Sequence, residues 1–354
     1  MGPIRVLIVD DSAFARDVIT AILSTDDEIK VVGEAVNGRE AVEKVRELKP
    51  DIVTMDIEMP VMDGLGAIEM IMASCAVPIL VVTTRGDAHT AYAAISKGAL
   101  DLVVKPEVNL DCAREFIDKV KLLSRITVIT HIKGKRAADA LKQTRKHEFK
   151  GIPSDKAVAI ASSTGGPEAL SVILSGLPEK FPCPVLVAQH ISDGFVSGMV
   201  EWLKRVTKLK VKVAEEGETV VPGTVYISPS EKHMEVNDAK AVVLVERHPK
   251  DIYRPSCDIL LSSVARVYGP KAAGLILTGM GSDGVLGMKK VKEAGGTTMA
   301  QDEKSSIVFG MPKVAIENGC IDRILPLDEI GEGILRFVSG GGGFMERAGA
   351  QAGR

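Results

Sequence analysis

The sequence contains no uninterrupted apolar run that approaches the ~20 residues of a membrane-spanning helix. Its first residues, MGPIRVLIVDD, lead directly into a strand pattern, which predicts a protein without a secretory signal. The five cysteines are scattered and form no C-x-x-C pair, so neither a disulfide framework nor a zinc site is expected. These absences predict a soluble cytoplasmic chain with reduced thiols and no direct membrane insertion.

An excess of positive charge is also missing, since 44 Lys and Arg residues stand against 47 Asp and Glu residues. The net charge of −3 gives no reason to expect nucleic acid as a general partner. Residues 125–150 depart from this balance, with eight basic residues and two acidic ones. An RNA-binding arm would interleave aromatic residues with these charges. Because such a pattern is lacking, we favour a solvated interdomain linker over 125–155.

The length of 354 residues favours two domains, one on each side of this linker. In both parts, short apolar strand patterns alternate with amphipathic helical ones, which is typical of a parallel sheet covered by helices. We therefore predict two doubly wound α/β domains, spanning residues 1–124 and 156–338. The second should also contain a β-hairpin that turns at Asn237-Asp238. The glycine-rich tail, 339–354, is predicted to be disordered.

Polar side chains follow the predicted strands of the first domain. Because the carboxyl ends of parallel strands form the ligand-binding edge of an open α/β sheet, these side chains should lie together. Three carboxylates in one place repel one another unless a cation compensates, and oxygen ligands suit Mg²⁺. One carboxylate could then attack a phosphoryl group. The residues concerned are Asp10, Asp11, Asp56, Thr83 and Lys105.

Four motifs of this domain resemble those of response-regulator receiver domains, which have a flavodoxin-like fold: VDDS (9–12), DIVTMDIEMPVMDG (51–64), VVTT (81–84) and VVKP (103–106). The resemblance implies a histidine kinase as phosphodonor. It also implies particular roles for individual residues. Asp56 would accept the phosphoryl group, and Lys105 and Thr83 would signal its presence. Mg²⁺ would be held by Asp11, Asp56 and the carbonyl of Glu58, with Asp10 in the same cluster.

One position departs from the receiver pattern. The family often has an aromatic residue three positions before the lysine, where this chain has Leu102. The usual aromatic rotamer switch therefore lacks its residue here.

The second domain opens on KAVAIASSTGGPEAL (156–170), which predicts a buried strand, a tight turn and a helix N-terminus. A hydroxyl on such a turn is exposed near free backbone N–H groups. These are two requirements of nucleophilic catalysis, a reachable oxygen and donors for an oxyanion. Glycine-rich turns of this kind more often bind phosphate, so this stretch alone leaves both interpretations open.

Ser163, His190 and Asp283 all come shortly after predicted strands of this domain. A serine nucleophile needs a base, and the base needs an orienting carboxylate, whatever their order along the chain. Each residue also has an ordinary structural interpretation, as a turn residue, a helix cap or a buried hydrogen-bonded histidine. His233 is a competing base, but it lies on the predicted hairpin and away from the carboxyl edge.

Further motifs resemble the Rossmann-like catalytic domain of the chemotaxis protein-glutamate methylesterases. The resemblance implies that Ser163 is the nucleophile, His190 the base and Asp283 the orienting acid. It also implies an oxyanion donor in the Met280 backbone N–H and a positioning role for Thr164. The motifs are IASSTGGPEAL, VLVAQHI, YISPSEKHMEV, YRPSCDILLSSVA, LILTGMGSDG and AQDEKSSIVFGMPKVA.

The two resemblances together imply a phosphorylation-regulated serine carboxylesterase. Its substrates would be glutamate γ-methyl esters on the cytoplasmic helices of methyl-accepting chemoreceptors, and methanol would be released. Deamidation of receptor glutamines is an expected second activity. Mg²⁺ would serve only the receiver, ester hydrolysis would need no cofactor, and the chain is expected to be a monomer. The alternatives are a signalling module whose output domain has lost catalysis, and a receiver-linked nucleic-acid binder.

Overall fold

The structure, a computed structural model, describes residues 2–84, 88–106, 110–128, 154–248 and 251–340. The predictions of a linker and of a disordered tail fall mainly on residues 129–153 and 341–354, which lie outside the described residues. Within the described ranges, no helix combines the length and the apolar character that crossing a membrane would require.

The first sheet is parallel and has five strands: Ile4–Val9 (β1), Ile29–Ala35 (β2), Ile52–Met55 (β3), Ile79–Thr83 (β4) and Asp101–Val104 (β5). Their order in the sheet is β2-β1-β3-β4-β5, so the chain first winds one way from β1 and then the other. A helix follows each strand, and the helices cover both faces: Ala13–Leu23 (α1), Gly38–Leu48 (α2), Gly64–Ser74 (α3), Ala88–Ser96 (α4) and Leu110–Leu123 (α5).

Polar residues that follow the strands of this sheet begin its helices. Ser12, Asn37 and Asp63 are N-caps, and their side chains accept hydrogen bonds from backbone N–H groups of the first turn at 3.3, 3.0 and 2.7 Å. Such caps satisfy donors that the helix itself leaves unpaired. The strands β1 and β3 are apolar and largely buried, so the chain changes from core to surface at the carboxyl edge.

The second sheet is also parallel, with seven strands: Ala157–Ser162 (β6), Val185–Gln189 (β7), Lys210–Val213 (β8), Thr224–Ile227 (β9), Ala272–Ile276 (β12), Thr297–Gln301 (β13) and Arg323–Leu325 (β14). The order is β14-β13-β12-β6-β7-β9-β8. The surrounding helices are Gly166–Ser175 (α6), Val196–Val206 (α7), Cys257–Tyr268 (α8), Val285–Glu293 (α9), Met311–Glu317 (α10) and Leu327–Ser339 (α11).

A separate antiparallel hairpin is formed by Lys232–Val236 (β10) and Val242–Glu246 (β11). The predicted fold class, two doubly wound parallel sheets with a hairpin, is therefore confirmed. The hairpin turns at Asn237-Asp238 as predicted, in the loop between the paired residues Val236 and Val242. Asn237 shapes that loop, since its side-chain oxygen accepts hydrogen bonds from the N–H groups of Ala239 and Ala241.

The two sheet units pack against each other through α4 and α7. The rings of Tyr92 and Trp202 stack with centroids 5.9 Å apart, and Trp202 Nε1 donates a hydrogen bond of 3.0 Å to Ser96 Oγ. Tyr92 is fully buried, which raises the pKa of its phenol well above the ordinary value. Ile307 from the second unit also packs on an apolar cluster of the first.

Candidate active site

The turn from β6 into α6 brings backbone and side chains very close together. Gly165 has φ of 78°, a left-handed conformation that glycine adopts without strain. A Cβ at Gly166 would lie 2.0 Å from Gln189 Oε1 and 2.8 Å from the Cβ of Ser162. Glycine at both positions therefore lets the helix start directly against the neighbouring strand β7.

Ser163 is the first residue after β6, and both neighbouring strands hold its backbone. Its N–H donates to the carbonyl of Thr278 at 3.0 Å, and its carbonyl accepts from Gln189 Nε2 at 2.8 Å. Gly279 lies against it so closely that a Cβ there would come within 2.6 Å of the Ser163 Cβ. The serine is thus fixed where three adjacent strands, β12, β6 and β7, end.

His190 follows β7 and is paired with Asp283. Its Nε2 lies 2.8 Å from Asp283 Oδ2, and its ring stacks on Tyr253 with centroids 5.1 Å apart and planes inclined by 12°. Because Nε2 is engaged by the carboxylate, Nδ1 is the ring nitrogen left to serve a nucleophile. Within the described ranges, no hydrogen bond joins His190 to the hydroxyl of Ser163.

Asp283 is buried, with 2% of its surface exposed, and hydrogen-bond donors surround its carboxylate. Besides His190, these are the hydroxyl of Ser256 at 3.1 Å and the N–H groups of Cys257, Asp258 and Gly284 at 2.6, 3.0 and 3.1 Å. Burial acts to raise the pKa of Asp283, but the hydrogen bonds from His190 and from the N–H groups bring the pKa below its ordinary value. The carboxylate is therefore held in its charged form.

The other predicted residues of this domain have more varied positions. Met280 lies in the loop between β12 and Asp283, next to the glycine that contacts Ser163, and its side chain is half exposed. Thr164 is buried and its carbonyl accepts from Thr278 Oγ1 at 2.9 Å, but no bond from its hydroxyl to His190 occurs among the described residues. His233 lies on β10, and the hydrogen bonds of its ring go to Asp251 and Ser256.

Several residues that shape this site were missed by the sequence analysis. Gln189 is a fully buried amide that ties the turn together: Ser162 Oγ donates to its oxygen, and its nitrogen donates to two carbonyls. Its signal was available, since a polar residue ended an apolar strand just before His190. Tyr253 and Ser256 gave no comparable signal, because only the folded chain brings them to residues far away in the sequence.

The carboxyl edge of the first sheet brings together Asp10, Asp11 and Asp56, and one carboxylate oxygen from each lies within 4.8 Å of the other two. Lys105 Nζ lies 2.8 Å from Asp10 and 2.7 Å from Asp56. Burial, and to a smaller extent the charge of Asp10, raises the pKa of Asp56, although Lys105 acts in the opposite direction. Thr83 ends β4 at the same edge and is buried.

Gly64 packs directly against the backbone of Asp56. A Cβ at Gly64 would lie 2.0 Å from the carbonyl oxygen of Asp56, so any side chain there would displace the loop that carries the aspartate. Glu58, the remaining predicted metal ligand, lies in that loop, and its side chain is exposed. An exposed side chain is compatible with a role for its backbone carbonyl alone.

A small cavity lies between the two sheet units, beside His190. It is lined by Tyr92, Leu102 and Lys119 from the first unit and by Pro167 and His190 from the second. Leu102, which stands where an aromatic residue is common, is thus buried at this interface. The first unit covers one side of the edge that carries Ser163 and His190.

Two family models match this chain. The model of the CheB methylesterase matches residues 158–334, and that of the response regulator receiver domain matches residues 6–114. Each match contains one of the two carboxyl edges described above.

Individual relatives match nearly the whole chain. It is 50% identical to protein-glutamate methylesterase/protein-glutamine glutaminase 3 of Paramagnetospirillum magneticum, over 95% of this chain and 97% of that one. The corresponding protein of Pyrococcus abyssi is 40% identical over 99% and 96%. The crystal structure of the Thermotoga maritima CheB methylesterase catalytic domain is 42% identical, with a TM-score of 0.51, and covers 52% of this chain and all of that one. The chain therefore belongs to the CheB methylesterase family, with a receiver domain preceding the methylesterase domain.

Proposed function

We propose that this chain hydrolyses glutamate γ-methyl esters on the cytoplasmic helices of chemoreceptors and that phosphorylation of its receiver domain controls the reaction. The observation that carries the proposal is the His190–Asp283 pair at the strand edge where Ser163 is held. The printed names of the relatives, which describe methylesterases and glutaminases, support the choice of substrate.

Ser163 is the nucleophile in this proposal and His190 is the base. Ser163 Oγ attacks the ester carbonyl carbon while its proton passes to His190, and the carbonyl π electrons move onto the oxygen. The tetrahedral intermediate then expels the methoxy group, which takes the proton from His190 and leaves as methanol. Water attacks the acyl-enzyme in the same way, with His190 as base, and releases the glutamate carboxylate together with free Ser163.

Asp283 orients the base and stabilises its charged form. Its lowered pKa keeps the carboxylate ionised at neutral pH, so it can hold His190 while the ring carries an extra proton. The backbone N–H of Met280 is the proposed oxyanion donor. Support comes from Gly279, whose close approach to Ser163 brings this loop beside the nucleophile.

The experiment that tests the substrate uses a cytoplasmic receptor fragment with radiolabelled glutamate methyl esters and the full chain treated with acetyl phosphate. We expect labelled methanol to be released at a rate proportional to enzyme concentration. A matched fragment with glutamine at the same positions should release ammonia more slowly, because the nitrogen of an amide is a poorer leaving group than the methoxy group of an ester. Release of methanol no faster than in buffer would exclude the methylesterase proposal.

In the receiver domain, Asp56 is the proposed acceptor of a phosphoryl group from a histidine kinase. The three clustered carboxylates fit a hard divalent cation, because they offer only oxygen ligands at short mutual distances. Asp11, Asp56 and the Glu58 carbonyl would hold Mg²⁺, which would neutralise the charge of the phosphoryl oxygens when bound. Lys105 and Thr83 are the groups positioned to respond to the new charge.

Control of the esterase would operate through the interface between the two domains. Tyr92, Ser96 and Leu102 belong to α4 and β5 of the receiver, and they contact Trp202 or line the cavity beside His190. Phosphorylation adds about −1.5 to −2 charges to Asp56. Reorganisation around Lys105 and Thr83 would then weaken the docked state and open access to the active site.

A fragment that begins at Ser154 is therefore expected to be about ten- to a hundredfold more active than the unphosphorylated full chain, which corresponds to about 1.4–2.8 kcal/mol of coupling. Acetyl phosphate should raise the activity of the full chain and leave that of the fragment unchanged. Methanol release measures both effects.

Trp202 provides an independent readout, since it is the only tryptophan of the chain and stacks on Tyr92. Its fluorescence should change when acetyl phosphate is added to the full chain. If the fragment proves no faster than the unphosphorylated full chain, covering of the site by the receiver is excluded.

A further inference from the structure

His233 takes part in a buried hydrogen-bond chain behind the active site. It is 2% exposed, and its Nε2 lies 2.9 Å from Asp251 Oδ2. Its other ring nitrogen, Nδ1, accepts the backbone N–H of Ser256 at 2.9 Å. Since Nδ1 is an acceptor, the ring proton is on Nε2 and is donated to Asp251.

Ser256 joins this chain to the proposed triad. While its N–H donates to His233, its hydroxyl donates to Asp283 at 3.1 Å. It is also the N-cap of α8, and the next two N–H groups of that helix, those of Cys257 and Asp258, donate to the same carboxylate. The position of Ser256 thus decides where three of the donors to Asp283 lie.

The hairpin that carries His233 is itself held on two sides. The N–H of Val236 donates to Ser263 Oγ on α8 at 3.1 Å. At the end of the hairpin, Arg247 forms two hydrogen bonds to the carboxylate of Asp193, in the loop that follows His190. Because the hairpin is held in place, the hydrogen bond from Ser256 to His233 also fixes the N-terminus of α8.

We propose that His233 is a positioning residue of the esterase: it holds Ser256, and through it the carboxylate of Asp283 that orients His190. The inference rests on the proposed function of the triad. Among the described residues, the hydrogen bonds of the His233 ring go to Asp251 and Ser256 and none goes to Ser163 or His190, so we do not assign it as a base for the nucleophile. Small displacements of groups that orient a base are known to lower reaction rates strongly.

Two substitutions separate the two contacts of the histidine. In His233→Asn, the shorter amide can place its oxygen near the position of Nδ1, so the acceptor for the Ser256 N–H is kept and the contact to Asp251 is lost. In His233→Gln, the longer amide can reach Asp251, but the acceptor for Ser256 is lost. The pair therefore tests which contact matters, with a polar side chain in both proteins.

The measurement is the rate at which a serine-reactive organophosphate modifies the full chain after treatment with acetyl phosphate. We expect His233→Gln to lower this rate about tenfold, because a buried donor is left without its partner. His233→Asn should stay within about threefold of the unsubstituted chain, since it keeps that partner.

Both substitutions are repeated in an Asp283→Asn background. If His233 acts through Asp283, His233→Gln should change the remaining rate by less than about twofold, because residues that act as a unit are not additive. Thermal melting checks folding in each case. Should His233→Gln fail to fold, His233→Leu takes its place, since leucine also removes the acceptor for the Ser256 N–H; the expected loss is again about tenfold and should likewise disappear in the Asp283→Asn background.

Other outcomes overturn the inference. An unchanged rate in His233→Gln would exclude a positioning role. Equal losses in both backgrounds would mean that His233 supports only the fold. Because the organophosphate does not require the receptor, a chain that reacts with it but releases no methanol would refute the proposed substrate and leave this test valid. No reaction in the unsubstituted chain would refute the triad itself.

Discussion

Replacing Ser163 with alanine should lower methanol release by more than about 10³-fold. Loss of a single oxyanion donor lowers kcat by about 10²–10³-fold, and removal of the attacking oxygen itself has the larger effect. The fold should be unaffected, because the alanine Cβ occupies the place that the serine Cβ already has against Gly279. The melting temperature of the variant checks this.

Ser162→Ala is the matched control for the neighbouring hydroxyl. Ser162 is fully buried, and its Oγ donates to Gln189 Oε1 at 2.7 Å instead of facing the site. Losing that bond should lower activity by at most about tenfold, as expected for one buried hydrogen bond. Near-normal methanol release by Ser163→Ala, or a larger loss in Ser162→Ala, would assign the nucleophile elsewhere.

The sequence could predict which side chains meet because parallel strands end at a common edge. This rule grouped His190 with Asp283, although they are 93 residues apart, and the family resemblance assigned them as base and orienting acid; the structure pairs them at 2.8 Å. It also grouped Asp10, Asp56 and Lys105, which form two ion pairs. The end of each strand can be read from a few neighbouring residues. Because all strands of a parallel sheet end at one edge, these local readings predict contacts between residues far apart in the sequence.

Contacts made from the side of the sheet could not be predicted in this way. Ser256 reaches Asp283 because α8 packs with its N-terminus under the loop after β12, and nothing in YRPS announces that packing. The sequence pattern marks His233 only as a competing base. Its contact with Ser256 depends on how the hairpin lies on α8, and hairpin placement has no periodic signal.

The contact between the two domains was likewise beyond sequence patterns. Leu102 was recognised as a departure from the receiver pattern, but the stacking of Tyr92 on Trp202 depends on two helices that are 100 residues apart. Helix α11 was also missed, although its apolar residues buried at Ile330, Ile334 and Val338 follow a helical spacing.

Replacing Asp56 with asparagine should abolish labelling by acetyl phosphate in the presence of Mg²⁺, because the substitution removes the attacking carboxylate oxygen. The variant should fold, since burial raises the pKa of Asp56 and its charge is therefore unfavourable in the folded chain. A neutral amide of the same shape avoids that charge. Incorporation of labelled phosphate and the melting temperature are the two measurements.

Asp51→Asn is the matched control, because Asp51 and Asp56 flank the same strand, β3, at opposite ends. Asp51 is exposed and its carboxylate accepts a hydrogen bond from the N–H of Arg5 at 2.8 Å, at the other end of the strand from the acidic edge, so this variant should be labelled at the normal level.

In Asp56→Asn, acetyl phosphate should also no longer raise methanol release, since no new charge reaches Lys105 and Thr83. Labelling without activation in the unsubstituted chain would separate the two steps: the acceptor would stand, and control through the interface of Tyr92 and Trp202 would be refuted. Labelling of Asp56→Asn at the normal level would instead show that another residue accepts the phosphoryl group.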